Sequence, residues 1–388
     1  MKRFPTIAAV LALIAAPFSV CLLAQVASAP ENANRSWTSS STVQDPSGAT
    51  NPLRVTESHT ESAGRVIDKR KLERLGPGGQ YVPYLEIERE TMRVNSTTVK
   101  TVERSYGTNP DGGRVLLQEN REEQQKLNGG AEKSVRSTSN LDANGHLQIV
   151  QQEVRESKLA GTGIREIDST VLLPDMNGNL LPNRKTHVEE RKRSDQFTEY
   201  KQTVSLPNAN GGWSINEVRE GKITGAEGQN RVKEENVLRP DLDGHLSVTQ
   251  HTVTKDEKPI GGEKRQTVET YSSYSPGSSP DGMQLNGRVL TVDRTTPGGA
   301  RTTVQQTQGR NPGDPRAGMR TTSETIDIVR PGTGGTSRQE QTVRSLGADG
   351  KLGTVWVDMG KVQASPITVD TKNPKATSTP AVTSPQGK

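Results

Sequence analysis

Six glycines, Gly79, Gly112, Gly145, Gly178, Gly211 and Gly244, follow one another at intervals of 33 residues without an insertion. Gly282 comes 38 residues later, and Gly313 and Gly350 continue the series less regularly, after 31 and 37. A fixed period of this length means one supersecondary unit copied many times, each copy needing its neighbours to complete its packing. The residues around the glycines identify the unit. They read Asn109-Pro110-Asp111-Gly112, Asp142-Ala143-Asn144-Gly145, Pro240-Asp241-Leu242-Asp243-Gly244 and Ser279-Pro280-Asp281-Gly282. Proline presets the first corner of a type I turn, Asp or Asn bonds the local backbone, and Gly takes the positive-φ position. A looser turn signal lies near mid-repeat, as at Gly129-Gly130, Gly161-Thr162-Gly163 and Gly261-Gly262. Two turns per repeat leave two strands of about ten to twelve residues.

The segments between turns fit that reading. Val99-Lys100-Thr101-Val102, Leu147-Gln148-Ile149-Val150 and Val289-Leu290-Thr291-Val292 are rich in Val, Ile and Thr, and no window carries a capped helical period. Apolar residues fall in columns: Tyr81, Leu147, Leu180, Trp213 and Leu246 two places after an anchor glycine, Leu116, Ile149, Ile215 and Val248 four places after. An offset of two keeps them on one face. The far halves, such as Gln151-Gln152-Glu153-Val154-Arg155-Glu156, are almost wholly polar. Both faces there must be wet, held by ladder hydrogen bonds and cross-strand ion pairs.

The expected fold is all-β. It is an elongated antiparallel β-meander of 33-residue hairpin repeats, a single-layer or coiled sheet of about sixteen strands with one more at each end. A two-sided β-solenoid is the alternative, but tight Asx-Gly turns suit hairpins better than solenoid corners. A transmembrane barrel needs an outward apolar band with aromatic girdles. Beyond residue 29 the chain has one Phe, six Tyr and three Trp, too few for such girdles. The expected organisation is a secretory signal over 1–29, a Ser/Thr-rich disordered linker over 30–64, the hairpin repeats over 65–360 and a disordered tail over 361–388.

The signal rests on Lys2 and Arg3, the apolar run from Ile7 to Ala24, and the small residues Ala27-Ser28-Ala29. The one cysteine, Cys21, lies inside it, so the rest of the chain can form neither a disulfide nor a thiolate metal site. The chain is therefore expected to be exported, to the periplasm or the cell surface. Without Lys2 and Arg3, 48 basic residues of the 50 face 45 acidic ones, finely interleaved. No concentrated basic face is visible, so nucleic acid is not an expected partner.

The segment Leu141-Asp142-Ala143-Asn144-Gly145-His146-Leu147 resembles the Asp-x-x-Gly-x-Leu portion of YD-type repeats in large secreted bacterial proteins. The tyrosine that defines those repeats is absent before Asp142 and the period differs, so the resemblance implies nothing about function.

Catalytic chemistry finds little support. No nucleophile elbow, zinc-binding helix motif or phosphate-cradling loop is present. His146 and His245 share a column one residue after an anchor glycine, as duplicated turn residues would. The Asp-x-Asn/Asp-Gly turns resemble half a calcium loop, but the distal ligand positions hold Gln151, Arg184 and Gln250. No catalytic residue, metal site or cofactor is expected. The turn glycines Gly79, Gly112, Gly145, Gly178, Gly211, Gly244 and Gly282 are structural. Tyr271, Tyr274 and Trp213 are candidate ligand contacts through ring stacking, with packing in the apolar stripe as the plainer role for Trp213. The function read from these features is an exported, non-catalytic structural or cell-surface repeat protein, self-assembling through its free sheet edges. The alternative is a secreted binding module for polysaccharide or another polar polymer. Neither reading needs a transmembrane segment after the signal.

Overall fold

The computed structural model describes residues 35–44, 50–62, 64–109, 111–142, 144–273, 282–310, 318–332, 336–347 and 349–366. They form one sheet of twenty strands. The first seven are β1 (Arg35–Gln44), β2 (Thr50–Ser62), β3 (Arg65–Leu75), β4 (Tyr81–Arg93), β5 (Thr98–Thr108), β6 (Arg114–Lys126) and β7 (Glu132–Leu141). Next come β8 (Leu147–Gly161), β9 (Ile164–Pro174), β10 (Leu180–Ser194), β11 (Phe197–Pro207), β12 (Trp213–Thr224), β13 (Arg231–Pro240) and β14 (Leu246–Asp256). The last are β15 (Glu263–Ser273), β16 (Met283–Thr295), β17 (Arg301–Gly309), β18 (Arg320–Pro331), β19 (Thr336–Leu346) and β20 (Leu352–Pro366). One 3₁₀ turn at Asn128–Gly130 is the only helix among the described residues.

Each strand pairs antiparallel with its neighbour in sequence, so the meander is the architecture and the parallel ladders of a solenoid are not. The sheet is not an open ribbon, however. β1 pairs with β2 on one side, Ser40 opposite Arg54, and with β20 on the other, Ser40 opposite Lys361. Hydrogen bonding thus returns to its starting strand, and the sheet closes into a barrel. Two sequence expectations change as a result. The free edges are gone, and β1 and β2 lie within the 30–64 stretch expected to be a linker. Alternating Ser and Thr there make ladder bonds without needing an apolar face. β20 also runs past residue 360, while 1–29, 274–281 and 367–388 lie outside the described residues.

Local chemistry accounts for the turns. The amide of Asp142 donates to the carbonyl of His146 at 2.8 Å, and Gly145 N–H returns to the Asp142 carbonyl at 3.1 Å. The Asp142 carboxylate accepts the amides of Asn144 and His146, each at 2.8 Å. The same set recurs at Asp175, Asn208 and Asp241. Gly79, Gly112, Gly145, Gly178, Gly211 and Gly244 hold φ between 73° and 84°, where a Cβ would be strained. Gly282 directly precedes β16, and its turn lies outside the described residues.

A second device shares the period. Each hairpin with an Asx-Gly turn carries a register shift in its second strand, leaving one residue without a partner. In the first six regular repeats these residues are Tyr84, Leu117, Val150, Asn183, Asn216 and Thr249, again 33 apart. Bulges increase local twist and coiling, which is how a flat ribbon is bent toward closure. The curvature of the barrel is therefore written once per repeat.

Little of the stability comes from an apolar core. Among the described residues only Val55, Ile167, Val171, Val218 and Val237 are buried hydrophobics. Backbone ladders and side-chain ion pairs hold the remainder. At ~4.8 Å per strand and a tilt of roughly 35°, twenty strands enclose a ring about 37 Å across, backbone to backbone.

Candidate functional site

The strands present two polar faces. On one, which we call the ladder face, Lys69 and Lys71 of β3 stand opposite Glu88 and Glu86 of β4, and Glu88 in turn faces Arg104 of β5. Arg104 faces Glu119 of β6, completing a row of alternating charge across four strands. Several of its carboxylates are buried between two cations. Glu73 meets Arg54 at 2.5 Å and Lys71 at 2.9 Å, and Glu119 meets Arg104 at 2.7 Å and Arg121 at 2.6 Å. Glu269 meets Arg288 at 2.6 Å and Lys255 at 3.4 Å.

The densest constellation lies on β10–β14 and uses both faces. Tyr200 on β11, Gly221 on β12 and Glu235 on β13 are direct neighbours across three strands. Gly221 has no side chain, so the Tyr200 ring lies over its backbone, and an added Cβ would come within 2.4 Å of that ring. The Tyr200 hydroxyl reaches across to donate to the Glu235 carboxylate. Glu235 also meets Lys233 at 3.1 Å and Arg219 at 3.5 Å, while Arg219 and Arg239 clamp Glu217 at 2.6 Å and 2.9 Å. On the ladder face of the same strands is an open depression of about 460 Å³, with Lys201, Glu220, Lys222 and Glu234 on its floor. Lys201 pairs with Glu220 at 2.7 Å and Lys222 with Glu234 at 2.9 Å. Such a surface offers alternating donors and acceptors to polar solutes, held by pairs that water can exchange.

The residues singled out in the sequence are scattered. Trp213 opens β12 with its ring exposed and the Lys185 ammonium 4.4 Å from the ring centroid. Tyr271 lies on β15, its hydroxyl 3.2 Å from Glu269 and its ring 5.7 Å from that of His251. Tyr274 lies outside the described residues. Asp241, Asp243 and His245 bring one ligand atom each within 4.8 Å at an exposed turn, but Asp241 Oδ1 is already engaged by the amides of Asp243 and His245. The Tyr200–Gly221 pair escaped the sequence reading. Half of its signal is present: a glycine in mid-strand marks close approach of another group, while its partner Tyr200 is fixed only by the bulge at Asn216.

No family model matches the chain, and no curated protein matches it. Solved structures do. The siderophore receptor PirA from Pseudomonas aeruginosa aligns with a TM-score of 0.51 at 8% identity, covering 87% of this chain and 81% of that one. The alcaligin outer-membrane receptor FauA from Bordetella pertussis (0.43, 8% identity, 87% and 77% covered) and Pseudomonas aeruginosa OpdL (0.42, 9%, 86% and 98%) score lower and add nothing to the comparison. At such identity the likeness to PirA is one of fold alone.

That fold corrects the expected function. A closed ring presents no free edge for self-assembly, and the fold is shared with a siderophore receptor, not with a structural or polysaccharide-binding repeat. The expectation of no transmembrane segment after the signal also loses its ground, because a β-barrel can cross a membrane with strands and needs no apolar helix. Among the described residues no helix is long and apolar enough to do so. The expectation missed the barrel because it weighed only a transmembrane one, which needs aromatic girdles.

Proposed function

We propose that this chain is a β-barrel of the bacterial envelope, seated on the outer membrane, that gives small polar solutes passage along a water-filled interior. One observation carries the reading: β1 pairs with both β2 and β20, so the sheet encloses a space instead of ending in edges. Three further features support it. Both faces of the wall are polar, so the interior is hydrophilic. The ring is wide, about 37 Å between backbones. The fold is shared with the siderophore receptor PirA, and passage of a solute comes to this chain only by that analogy. The signal-like segment at 1–29 would deliver the chain to the envelope. The reading needs no catalytic group.

Small-angle X-ray scattering at graded solute contrast tests it. Sugars should fill the interior of the folded full chain, and polymers wider than the ring should be excluded. An interior that admits no solute, in a chain demonstrably folded and rich in β-structure, would remove the passage.

A further inference from the structure

Which face of the strands points outward can be read from register and chirality. Following hydrogen-bonded partners from β1 in chain order runs Arg35, His59, Asp68, Arg89, Glu103, Asn120, Thr138, Gln151. Arg89, Asn120 and Gln151 lie ten, eight and six residues past their anchor glycines. Each hairpin therefore climbs by about two residues toward the Asx-Gly turns, a lean of roughly 35°. The amide of Asp142 turns to β8, so Leu141 and Ser139, of opposite parity, turn theirs to β6. For an L-residue whose side chain faces the viewer on an ascending strand, N–H and C=O lie to the right. Seen from the ladder face with the Asx-Gly turns uppermost, β6 is then to the right of β7 and β8 to the left. Strands that climb leftward in chain order lean rightward, the right-handed coil that strand twist imposes when seen from outside. The ladder face is the outer face.

That face is charged along most of its height. A cation on a lipid-facing wall costs about 2–4 kcal/mol at the bilayer midplane, and Lys69, Lys71, Arg104, Arg121 and Lys201 are only some of those it carries. The exception is a collar beside the Asx-Gly turns. Leu147, Ile149, Trp213, Ile215, Leu246 and Val248 stand on the ladder face there, between 36% and 46% exposed. Apolar residues recur two and four places after the glycines of the regular repeats, Arg114 excepted, so the collar runs from β4 to β14 over about 7 Å of strand. Cations border it and stack on its rings: Arg54 lies 4.7 Å from the Tyr81 centroid, Arg114 3.4 Å from Tyr106 and Lys185 4.4 Å from Trp213.

We infer that the barrel meets lipid by this collar alone. The Asx-Gly rim is seated in an anionic leaflet, and the charged wall behind it stands in water. Apolar side chains over about 7 Å match the depth of an interfacial seat. The bordering Arg and Lys match the phosphates at the same level. The inference rests on the membrane association proposed above and adds where, and how deep, the contact is.

Fluorescence decides it. A Trp37→Phe/Trp356→Phe chain, whose remaining tryptophan is Trp213, is mixed with phosphatidylethanolamine–phosphatidylglycerol vesicles in which some lipids are brominated near the headgroup or near the chain end. Headgroup-side bromine should quench Trp213 about twofold and chain-end bromine far less. A second chain, Lys201→Cys carrying a polarity-sensitive dye, should keep its aqueous emission on the same vesicles. An unquenched Trp213, or a dye that shifts to the blue, overturns the collar seat. Quenching by a chain whose interior admits no solute leaves the seat standing and removes the passage; solute entry without quenching does the reverse. Leu147→Ser/Ile215→Ser/Leu246→Ser should lose vesicle flotation while keeping its strand content, and retained flotation would also overturn the seat.

Discussion

Gly221 is where one missing side chain arranges several others. Its bare Cα lets Tyr200 lie flat across the sheet, and that position brings the phenol to Glu235 and shields backbone that water would otherwise reach. Gly221→Ala would drive a methyl into the ring, an overpacking that costs about 1–3 kcal/mol. Tyr200→Ala should cost a similar amount, yet the double variant should be less destabilised than the sum, because the clash disappears with the ring. Urea midpoints of the four proteins measure this, and strict additivity would mean the ring does not sit over Gly221. A second residue-scale prediction concerns the turn carboxylates. Hydrogen bonds from the amides of His146 and Asn144 hold Asp142 below the usual aspartate range. The Asn179 side-chain and backbone N–H groups do the same for Asp175. A depressed folded pKa stabilises above the unfolded value, about 3.9, and that stabilisation is lost as pH falls through the folded value. The difference in urea midpoint between the parent and Asp142→Ala should therefore be constant near neutrality and shrink below about pH 4. A difference that persists at pH 2 would show that the carboxylate's charge plays no part in the turn.

The hairpin is the element the sequence displays most openly. Turn chemistry is local, so Asp142, Asn144 and Gly145 announce their geometry without help from the rest of the chain. The bulge five residues later does not. Tyr84, Leu117, Val150, Asn183, Asn216 and Thr249 share a position and no chemistry, because what matters there is an extra residue and not its type. A side-chain reading of one sequence has nothing to detect. The Tyr200–Gly221 contact was hidden for the same reason, since its partners meet only once the bulge at Asn216 has set the register. Deleting Asn216 tests this. Without the extra residue, the pairs Val204–Glu217 and Ser205–Ile215 follow one another directly, so Trp213 and Ile215 keep the collar face and the strand loses only its local twist. Deleting the paired Ser214 instead would send Trp213 to the opposite face and take its ring from Lys185. Iodide quenching of Trp213, in a chain with the other two tryptophans replaced, should be unaltered by deleting Asn216 and should change on deleting Ser214. A change on deleting Asn216 would mean that Asn216 is not the extra residue.

At the scale of the whole molecule, closure depends on the strand that sequence reasoning discounted most. β1 is short of apolar residues and rich in Ser and Thr, as a linker would be, and it joins the two ends of a meander more than 300 residues apart in the chain. Closure is a long-range property: turns and strand periods specify a ribbon, and only the accumulated lean and coil of twenty strands bring β20 beside β1. No local signal could reveal it, which is why the meander was legible and the ring was not. The join can be fixed chemically, because the only native cysteine, Cys21, lies in the signal-like segment. Ser39 of β1 stands opposite Val362 of β20. Ser39→Cys/Val362→Cys, made with Cys21 replaced, should oxidise to an intramolecular disulfide that runs faster than the reduced chain on a denaturing gel. Cross-linking so long a loop removes enough unfolded-state entropy to stabilise by about 4–5 kcal/mol if the native geometry is undistorted. A matched pair one strand out of place, Ser39→Cys with Val343→Cys on β19, should not form the bridge. If the first pair fails to oxidise while the folded chain is intact, the barrel is open between β1 and β20, and the enclosed passage goes with it.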